Sequence, residues 1–418
     1  MKKMLKYRRM LADNLPPGRP ILLLRAQNYN VVSLGALLGA CPEEILARVE
    51  VVLWEKNQPA PDLPPGHPTL RAYSFMMLHA EKVSLEIAAL RRDYPVGGKH
   101  FFVAGGALAS TDPEAVNALG FDLVVSGEGE EIFPRILVDW LSGKIATGIC
   151  HAGPAWIDLD KFPGFHPTVG YLPPIEISRG CKFGCNFCSV PRLFRGTLRH
   201  RSVSRIVEIA RSYREISPGR RRVKFLASNA FAYGSAGREP NPKALFELLS
   251  AIRAAGYPQI CLGSFPSEVR PDFVIPEVLD VVRPFLTNEV IVIGVQSGID
   301  ERLEVMHRGH TREQAVKALE LLKKYDFTPH VDFILGTPGE KASDQRATVE
   351  FMEELVERFG ILIHMHTFMA LPGAVWKDKT PRSIIPEVHE RLRALSNKGV
   401  LDGWWENQIG YGRRKSRA

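Results

Sequence analysis

Three cysteines lie within eight residues of one another, Cys181, Cys185 and Cys188. Thiolates are the usual ligands of iron–sulfur clusters, and a four-iron cubane normally takes four of them. The Cys-x3-Cys-x2-Cys spacing supplies three, so we expect a 4Fe-4S cluster with one iron open to a further ligand. Gly180 and Gly184 would let the loop wrap the cluster with its backbone amides close to the sulfides.

Two other interpretations of these cysteines stay open. Their i, i+4, i+7 spacing would also place three thiols on one face of a helix as a buried patch, although the glycines between them disfavour a helix. A zinc site would need a fourth ligand, and the nearest candidate is His200, twelve residues beyond Cys188. Three cysteines after a predicted strand are a more specific pattern than a lone pair, which favours the cluster.

The composition of the chain is that of a globular protein with two domains. Its 418 residues include 45% apolar and 24% charged side chains, and Lys plus Arg exceed Asp plus Glu by 54 − 46 = 8. This mild excess of positive charge does not exclude nucleic acid as a partner. The longest apolar run, residues 31–41, is too short to span a bilayer, and the first residues lack the apolar segment of a signal peptide. Six cysteines without a disulfide pattern agree with a cytoplasmic protein that has no membrane contact.

Short apolar runs alternate with segments of helical period in the first third of the chain. This rhythm predicts a doubly wound, Rossmann-like α/β domain with a parallel sheet over residues 18–150. The predicted strands are residues 21–24, 49–54, 72–76, 100–104 and 123–126, and the predicted helices include residues 80–92 and 113–119. Ligands of such sheets bind at the carboxyl ends of the strands, where Gly105-Gly106 and the Gly-Glu-Gly-Glu stretch 127–130 fall. Glycines also make ordinary tight turns at such positions.

A second series of strands and helices follows a predicted linker, residues 151–173. Six βα units over residues 174–375 predict a partial (β/α)6 barrel. The predicted strands are residues 174–178, 223–227, 259–263, 290–295, 330–335 and 361–369, and the intervening helices include residues 203–213, 243–254 and 312–324. Residues 376–418 are expected to form a helical extension that ends in a basic tail.

The cysteine loop and two later segments resemble the radical S-adenosylmethionine (SAM) enzymes. The similar stretches are residues 177–202 around the cysteines, residues 292–311 (VIGVQSGIDERLEVMHRGHT) and residues 331–340 (VDFILGTPGE). The resemblance implies that the open iron chelates SAM. It also implies SAM contacts from Phe187, Ser228, Asn229, Gln296, Ser297, Arg308, Ile334 and Gly336. The family's usual Gly-Gly-Glu after the second strand is replaced by Ser228-Asn229-Ala230-Phe231, which puts the contact to the SAM amino group in doubt.

The N-terminal half resembles the cobalamin-binding domain of the class B radical SAM enzymes. The similarity lies in residues 73–76, 102–106 and 122–130, and the run 226–234 is similar to a group of single-chain proteins of that class. It implies cobalamin contacts from Ser74, Phe75, Met76, Gly105, Gly106, Gly127, Glu128 and Gly129. The Asp-x-His-x-x-Gly loop that places a histidine on cobalt in many corrinoid proteins does not occur, which agrees with a cobalamin without a protein ligand below.

These resemblances imply a cobalamin-dependent radical SAM methyltransferase. In such an enzyme a 5′-deoxyadenosyl radical takes hydrogen from an unactivated carbon and methylcobalamin supplies the methyl group. The implied partners are a small-molecule, natural-product or cofactor-type substrate and an electron donor of the flavodoxin or ferredoxin type. Alternatives are a non-methylating rearrangement, a non-catalytic corrinoid or cluster carrier, and an RNA-modifying methylthiotransferase. Methylthiotransferases carry a second set of three cysteines in the N-terminal domain, where this chain has only Cys41 and Cys150.

Three further residues are candidates for the substrate side of the cavity. His364 and His366 alternate on a predicted strand and therefore share one face. The pair could also bind a metal ion, but a structural role is favoured because no carboxylate or third histidine lies near it in sequence. Cys261, on another predicted barrel strand, could take part in hydrogen or methyl transfer, and a buried inert thiol is the simpler interpretation.

Overall fold

The computed structural model describes residues 18–61, 63, 66–153 and 156–409. The predicted basic tail lies outside the described residues. The chain forms two compact units, Met1–Pro173 and Pro174–Ala418. The predicted linker therefore lies inside the first unit. Within the described ranges, no helix has both the length and the apolar character needed to cross a membrane.

The first unit is built on a six-stranded sheet in the order β2-β1-β3-β4-β5-β6, and all its pairings are parallel. Its strands are β1 (Ile21–Arg25), β2 (Glu50–Trp54), β3 (Thr69–Ser74), β4 (His100–Gly105), β5 (Leu123–Ser126) and β6 (Gly148–His151). Leu22 and Leu24 of β1 pack into one apolar core, while Ile21 and Leu23 pack into a second core on the opposite face. Burial on both faces is why the strands of a parallel sheet are continuous apolar runs.

Helices connect these strands. They are α1 (Val31–Gly39), α2 (Glu43–Leu46), α3 (Ala80–Asp93), α4 (Ala107–Thr111), α5 (Pro113–Asn117) and α6 (Ile132–Leu141). The helix predicted over residues 113–119 ends earlier and follows a separate turn of helix, because Asp112 caps a new helix that begins with a proline. Strand β6 escaped prediction because it is a short, half-exposed edge strand without a long apolar run.

The second unit contains the predicted barrel strands, which confirms the predicted fold class. Its strands are β7 (Ile175–Glu176), β8 (Ser178–Gly180), β9 (Leu198–His200), β10 (Arg222–Leu226), β11 (Gln259–Cys261), β12 (Val290–Gln296), β13 (Thr328–Leu335), β14 (Leu362–Thr367) and β15 (Leu401–Asp402). Two parallel sheets, β11-β10-β7 and β12-β13-β14-β15, are joined by single parallel bridges from Ile260 to Leu286 and from Val269 to Ile293. The result is an open, partial barrel.

Helices pack outside this barrel. They are α7 (Val190–Leu193), α8 (Val203–Ile216), α9 (Pro242–Ala254), α10 (Pro276–Val282), α11 (Asp300–Val305), α12 (Arg312–Lys324), α13 (Ala342–Phe359) and α14 (Pro386–Asn397). Alternate residues of the strands face these helices: Val331, Phe333 and Leu335 of β13 are fully buried. The residues between them, such as Asp332 and Ile334, point to the barrel interior and line its cavity. The strand period thus decides which side chains reach the candidate site.

Candidate active site

The three cysteines lie in the long connection between the two strands of a short hairpin, β8 and β9. Strand β8 pairs antiparallel with β9, with Gly180 opposite Leu198, and Cys181 comes directly after β8. Gly180 has φ +94, and a side chain there would collide with the backbone carbonyl of Thr197. Only glycine fits this position without strain. The closely packed hairpin therefore fixes where the cysteine loop begins.

One cavity of about 320 Å³ brings all three cysteines together with polar side chains of the barrel. The polar lining comes from the loops after β10 and β11, from strands β12, β13 and β14, and from the segments after α11 and β15. The residues concerned are Ser228, Glu268, Arg270, Gln296, Arg308, Asp332, His366, Thr367 and Gln408. Phe183 and Phe187 also line it and shield the cysteine loop. Thiolates and convergent polar groups in one concave site are the arrangement expected of a binding or active site.

The surroundings of the cysteines do not favour a zinc site. Both ring nitrogens of His200 are within hydrogen-bond distance of protein groups, Ser178 Oγ at 2.7 Å and the Ser235 carbonyl at 2.9 Å, so it is not a fourth ligand. Within the described ranges, the His, Cys, Asp and Glu sets whose ligand atoms all lie within 4.8 Å of one another include no cysteine. The stretch from Cys181 to Cys188 is also not helical. The helix alternative is therefore wrong, and the sulfurs are too widely spaced for one tetrahedral ion.

Two arginines supply positive charge beside the thiols. Arg308 lies 3.4 Å from the Cys185 sulfur through Nη1 and donates through Nη2 to the Gly294 carbonyl at 2.5 Å. Arg270 donates to the Arg308 carbonyl at 2.6 Å, and its guanidinium lies 3.4 Å from the centre of the Phe183 ring. Burial raises the pKa of the Cys188 thiol to about 12, so a metal is needed to hold it as a thiolate at neutral pH. The arginines would offset the negative charge of three such thiolates.

Gln296 shows how the backbone presents a polar side chain to the cavity. It ends β12 after a register shift between Gly294 and Gln296, and its φ is +78, an unusual value for a residue other than glycine. Its side chain is buried and lines the cavity. Backbone strain of this kind is typical of functional sites, where the fold holds one side chain in a required direction.

Five of the eight residues predicted to contact SAM line this cavity: Phe187, Ser228, Gln296, Arg308 and Ile334. The other three lie outside its lining in the described structure. Asn229 accepts the backbone N–H of Arg270, Ser297 lies 3.4 Å from the Thr348 hydroxyl, and Gly336 donates to the Glu340 carboxylate. These three residues bond to other parts of the protein and do not line the cavity, so their SAM contacts stay predictions.

Of the candidate substrate residues, His366 lines the cavity, and burial lowers its pKa to about 4, so it is neutral at pH 7. His364 and Cys261 are not part of the lining formed by the described residues, and the Cys261 side chain is buried. The structure also adds two carboxyl groups that the sequence did not single out, Glu268 and Asp332. The sequence contained a signal for Asp332, because it is a single acidic residue within an apolar strand. Glu268 lies in an irregular loop and had none.

The electrostatics of these two carboxyl groups follow from the protein packed around them. Burial raises the pKa of Asp332 well above its usual range, and the neighbouring charge of Glu268 adds to this effect. Burial also raises the pKa of Glu268, against the opposing influence of Arg308. Glu268 is open to the cavity rather than packed in the wall, yet dense protein surrounds it on the other sides. Glu268, Asp332 and Arg308 together give the cavity both acidic and basic groups.

The carboxyl edge of the first sheet carries the residues predicted to contact cobalamin. The strand order reverses between β1 and β3, and Asn30 joins their ends by donating to the carbonyls of Arg25 at 2.9 Å and Ser74 at 2.8 Å. Such a switch point is where doubly wound sheets bind ligands. Beside it, the buried Nδ1 of His79 has no hydrogen-bond partner among the described residues, and its ring stacks on Tyr29.

The predicted glycine loops meet at this edge. A side chain on Gly106, whose φ is +91, would lie 2.6 Å from the Ser74 hydroxyl, so the loops after β3 and β4 are in contact. The Gly127 N–H donates to the Ser110 hydroxyl at 3.1 Å, which ties in the loop after β5. Phe75 is 2% exposed and packs in the core, whereas Met76 is 42% exposed. Of the remaining predicted residues, Gly105 is the last residue of β4, and Glu128 and Gly129 belong to the loop after β5.

Residues 175–352 match the model of the Radical SAM superfamily. Among curated proteins, the chain is 28% identical over 339 residues to the tRNA-2-methylthio-N(6)-dimethylallyladenosine synthase of Zymomonas mobilis, covering 77% of this chain and 71% of that protein. It is also 28% identical to a putative methylthiotransferase of Methanocaldococcus jannaschii, covering 60% and 57% of the two chains. The superfamily resemblance of the cysteine loop is confirmed over the matched residues.

Two solved structures share the fold at low identity. The cobalamin-dependent S-adenosylmethionine radical enzyme OxsB, with aqua-cobalamin and S-adenosylmethionine bound, superposes with a TM-score of 0.57 at 17% identity. The match covers 80% of this chain and 52% of OxsB, so the chain spans about half of that protein. The radical S-adenosylmethionine methyltransferase TsrM from Kitasatospora setae, with cobalamin and a [4Fe-4S] cluster bound, superposes with a TM-score of 0.60 at 15% identity, covering 86% and 77%. At these identities the likeness concerns the fold.

Proposed function

We propose that this chain, in which residues 175–352 form a radical SAM domain, is a cobalamin-dependent radical SAM enzyme that methylates an unactivated carbon of a small molecule. The observation that carries the proposal is the cavity that gathers three cysteines, two arginines and the strained Gln296. Its residues offer ligands for a cluster and polar groups for the SAM amino acid at the same place.

The residues fit a 4Fe-4S cluster and SAM. Cys181, Cys185 and Cys188 would hold three irons, and Arg308, beside Cys185, would offer a cation to the SAM carboxylate. The buried Nε of Arg308 has no partner among the described residues, so a donor remains available. When bound, the cluster supplies the electron that cleaves SAM into methionine and a 5′-deoxyadenosyl radical. Phe183 and Phe187 of the loop line the same cavity.

The first unit fits a corrinoid at its carboxyl edge. Gly105 at the end of β4 leaves open space there, because nothing lies within 4 Å of the position that its side chain would take. The unpartnered His79 nitrogen lies at the same edge. When bound, cobalamin supplies the methyl group that is transferred to the substrate carbon. Likeness to the folds of OxsB and TsrM, both solved with cobalamin, supports this part of the proposal.

Methylthiotransferase activity on RNA is the second candidate, because curated relatives at 28% identity carry that name. Only two cysteines lie in the first unit, and they cannot provide a second set of three thiolates. Cys41 is buried and its Sγ lies 3.3 Å from the Leu37 carbonyl, as expected of a structural thiol. This cysteine count favours the cobalamin-dependent enzyme.

Metal analysis of the anaerobically reconstituted protein separates these functions. We expect about four irons from the cluster and about one cobalt per chain after incubation with cobalamin. Iron without cobalt would refute the cobalamin-dependent reaction and leave radical chemistry in place. About eight irons would indicate a second cluster and support the methylthiotransferase. The control is the Cys185→Ala variant, which should lose iron and keep cobalt.

A further inference from the structure

The interior of the barrel contains an unusual column of ionisable side chains. Strands β13, β14 and β15 lie side by side, and their register sets Asp332 opposite His364 and His364 opposite Asp402. His330 and His366 lie two residues away on the same faces of β13 and β14. Barrel interiors are normally filled by branched apolar side chains. Asp332 is buried and the three histidines are half-buried, and removing ionisable groups from water costs free energy unless they are paired or bind a ligand.

Three members of the column have the composition of a metal site. His330 Nε2 lies 3.3 Å from the Asp402 carboxylate, and His364 Nδ1 lies 2.5 Å from the same oxygen. The ligand atoms of all three residues lie within 4.8 Å of one another. Metal–nitrogen and metal–oxygen bonds of about 2.0–2.2 Å place neighbouring ligand atoms roughly 3–3.5 Å apart, a separation that small side-chain rotations reach from here.

The surroundings of these residues also suit a metal ion. The side chains of His330, His364 and Asp402 are 19%, 36% and 64% exposed, so an ion can enter and further coordination positions face solvent. His364 belongs to a second close set with Asp332 and His366. A carboxylate beyond a metal-bound histidine commonly fixes the orientation of the imidazole, and Asp332 is placed for that role.

We propose that His330, His364 and Asp402 bind a divalent first-row transition metal ion, separate from the cluster at the three cysteines. Two imidazoles and one carboxylate with open positions are typical of sites for Zn²⁺ or Fe²⁺, whereas Mg²⁺ and Ca²⁺ prefer oxygen ligands. This site does not depend on the function proposed above. Through Asp332, which lines the cavity, the ion would be connected to the groups around the cluster.

Zinc content tests this proposal in the full-length protein, freed of any affinity tag. The protein is first loaded with its cluster, so that the cysteines are occupied, then equilibrated with Zn²⁺ and freed of unbound metal. We expect about one zinc beyond the irons of the cluster. His364→Ala and the nearly isosteric Asp402→Asn should each lose this zinc without losing iron. Iron content measures occupancy of the proposed cluster and zinc content measures occupancy of the second site, so the absence of either one can be told from the absence of the other.

His389→Ala is the matched control. His389 also faces a carboxylate, Glu406 at 3.5 Å, but the pair belongs to no close set of three ligands among the described residues. This variant should keep its zinc. Zinc that persists in both His364→Ala and Asp402→Asn, or zinc lost only in Asp332→Asn, would overturn the assignment.

Thermal unfolding gives a second measurement if a variant folds poorly. An ion that binds only the folded chain should raise Tm of the wild type by about 5–10 °C at a hundredfold excess over Kd. Asp402→Asn should retain the Tm of the metal-free wild type and show no shift with Zn²⁺. A wild-type Tm that does not respond to Zn²⁺ would contradict the proposal.

Discussion

Replacing Arg308 by glutamine should weaken SAM binding without removing the cluster. Arg308 is buried in the cavity wall, 3.4 Å from the Cys185 sulfur, and the resemblance to radical SAM enzymes assigns it to the SAM carboxylate. A hydrogen bond to a charged group contributes about 1.5–3 kcal/mol. At about 1.4 kcal/mol per tenfold change, the Kd for SAM should rise roughly 10- to 150-fold. Arg308→Lys should fall between the wild type and Arg308→Gln, because lysine keeps the charge but lacks the planar fork.

The assay is anaerobic equilibrium binding of SAM to cluster-loaded protein, expressed per four irons. A matched control is Arg214→Gln, which removes bonds to the carbonyls of Ala255 and Gly256 at 3.0 and 3.2 Å and does not line the cavity. It should bind SAM as the wild type does. Binding by Arg308→Gln within about twofold of the wild type, at equal iron content, would refute the role given to this arginine.

Three other substitutions test the supporting structure. Gly180→Ala should lose most of its iron. An alanine at φ +94 is strained by about 1–2 kcal/mol, and its added methyl group would collide with Thr197. Normal iron content in this variant would contradict the account of the hairpin. Asn30→Ala should lower the unfolding free energy of the first unit by about 2–4 kcal/mol, measured in urea, since it removes three buried hydrogen bonds, from the Gln27 N–H and to the carbonyls of Arg25 and Ser74; a change below about 1 kcal/mol would argue against the bridge. Burial raises the pKa of Glu340 from 4.5 to about 7, so the folded state binds the proton more tightly. Its contribution to the unfolding free energy is therefore greatest below pH 4.5 and is lost as pH rises to about 7, a change of up to about 3 kcal/mol. Glu340→Gln should remove this pH-dependent loss of stability. A variant with the same stability–pH profile as the wild type would contradict the assignment.

Much of the fold is visible in the sequence because strands buried on both faces are continuous apolar runs. Strand β12 was predicted to within one residue for this reason, and β13 to within two residues although Pro329, His330 and Asp332 interrupt its apolar residues. A two-residue strand outside any longer apolar run carries no such signal. Strand β15 is Leu401–Asp402, and only its pairing with β14 identifies it as a strand. Helix α13 was missed although it is long, because polar residues separate its buried positions.

Site residues that lie within a recognisable stretch of sequence could be predicted, whereas residues that only the fold brings together could not. The cysteine loop, Gln296 and Arg308 come from recognisable stretches. Glu268 comes from an irregular loop that only the fold brings to the cavity. The histidine pair of β14 illustrates the same limit: no carboxylate is near in sequence, yet the register of three strands sets Asp332 and Asp402 on either side of His364.

Formation of 5′-deoxyadenosine is the most direct test of the account. Protein with about four irons per chain, reduced with dithionite and incubated with SAM, should release 5′-deoxyadenosine and methionine. The Cys185→Ala variant, treated identically, should release neither. An intact, reducible cluster that binds SAM without forming 5′-deoxyadenosine would contradict the proposed radical chemistry and favour a carrier of clusters or corrinoids instead.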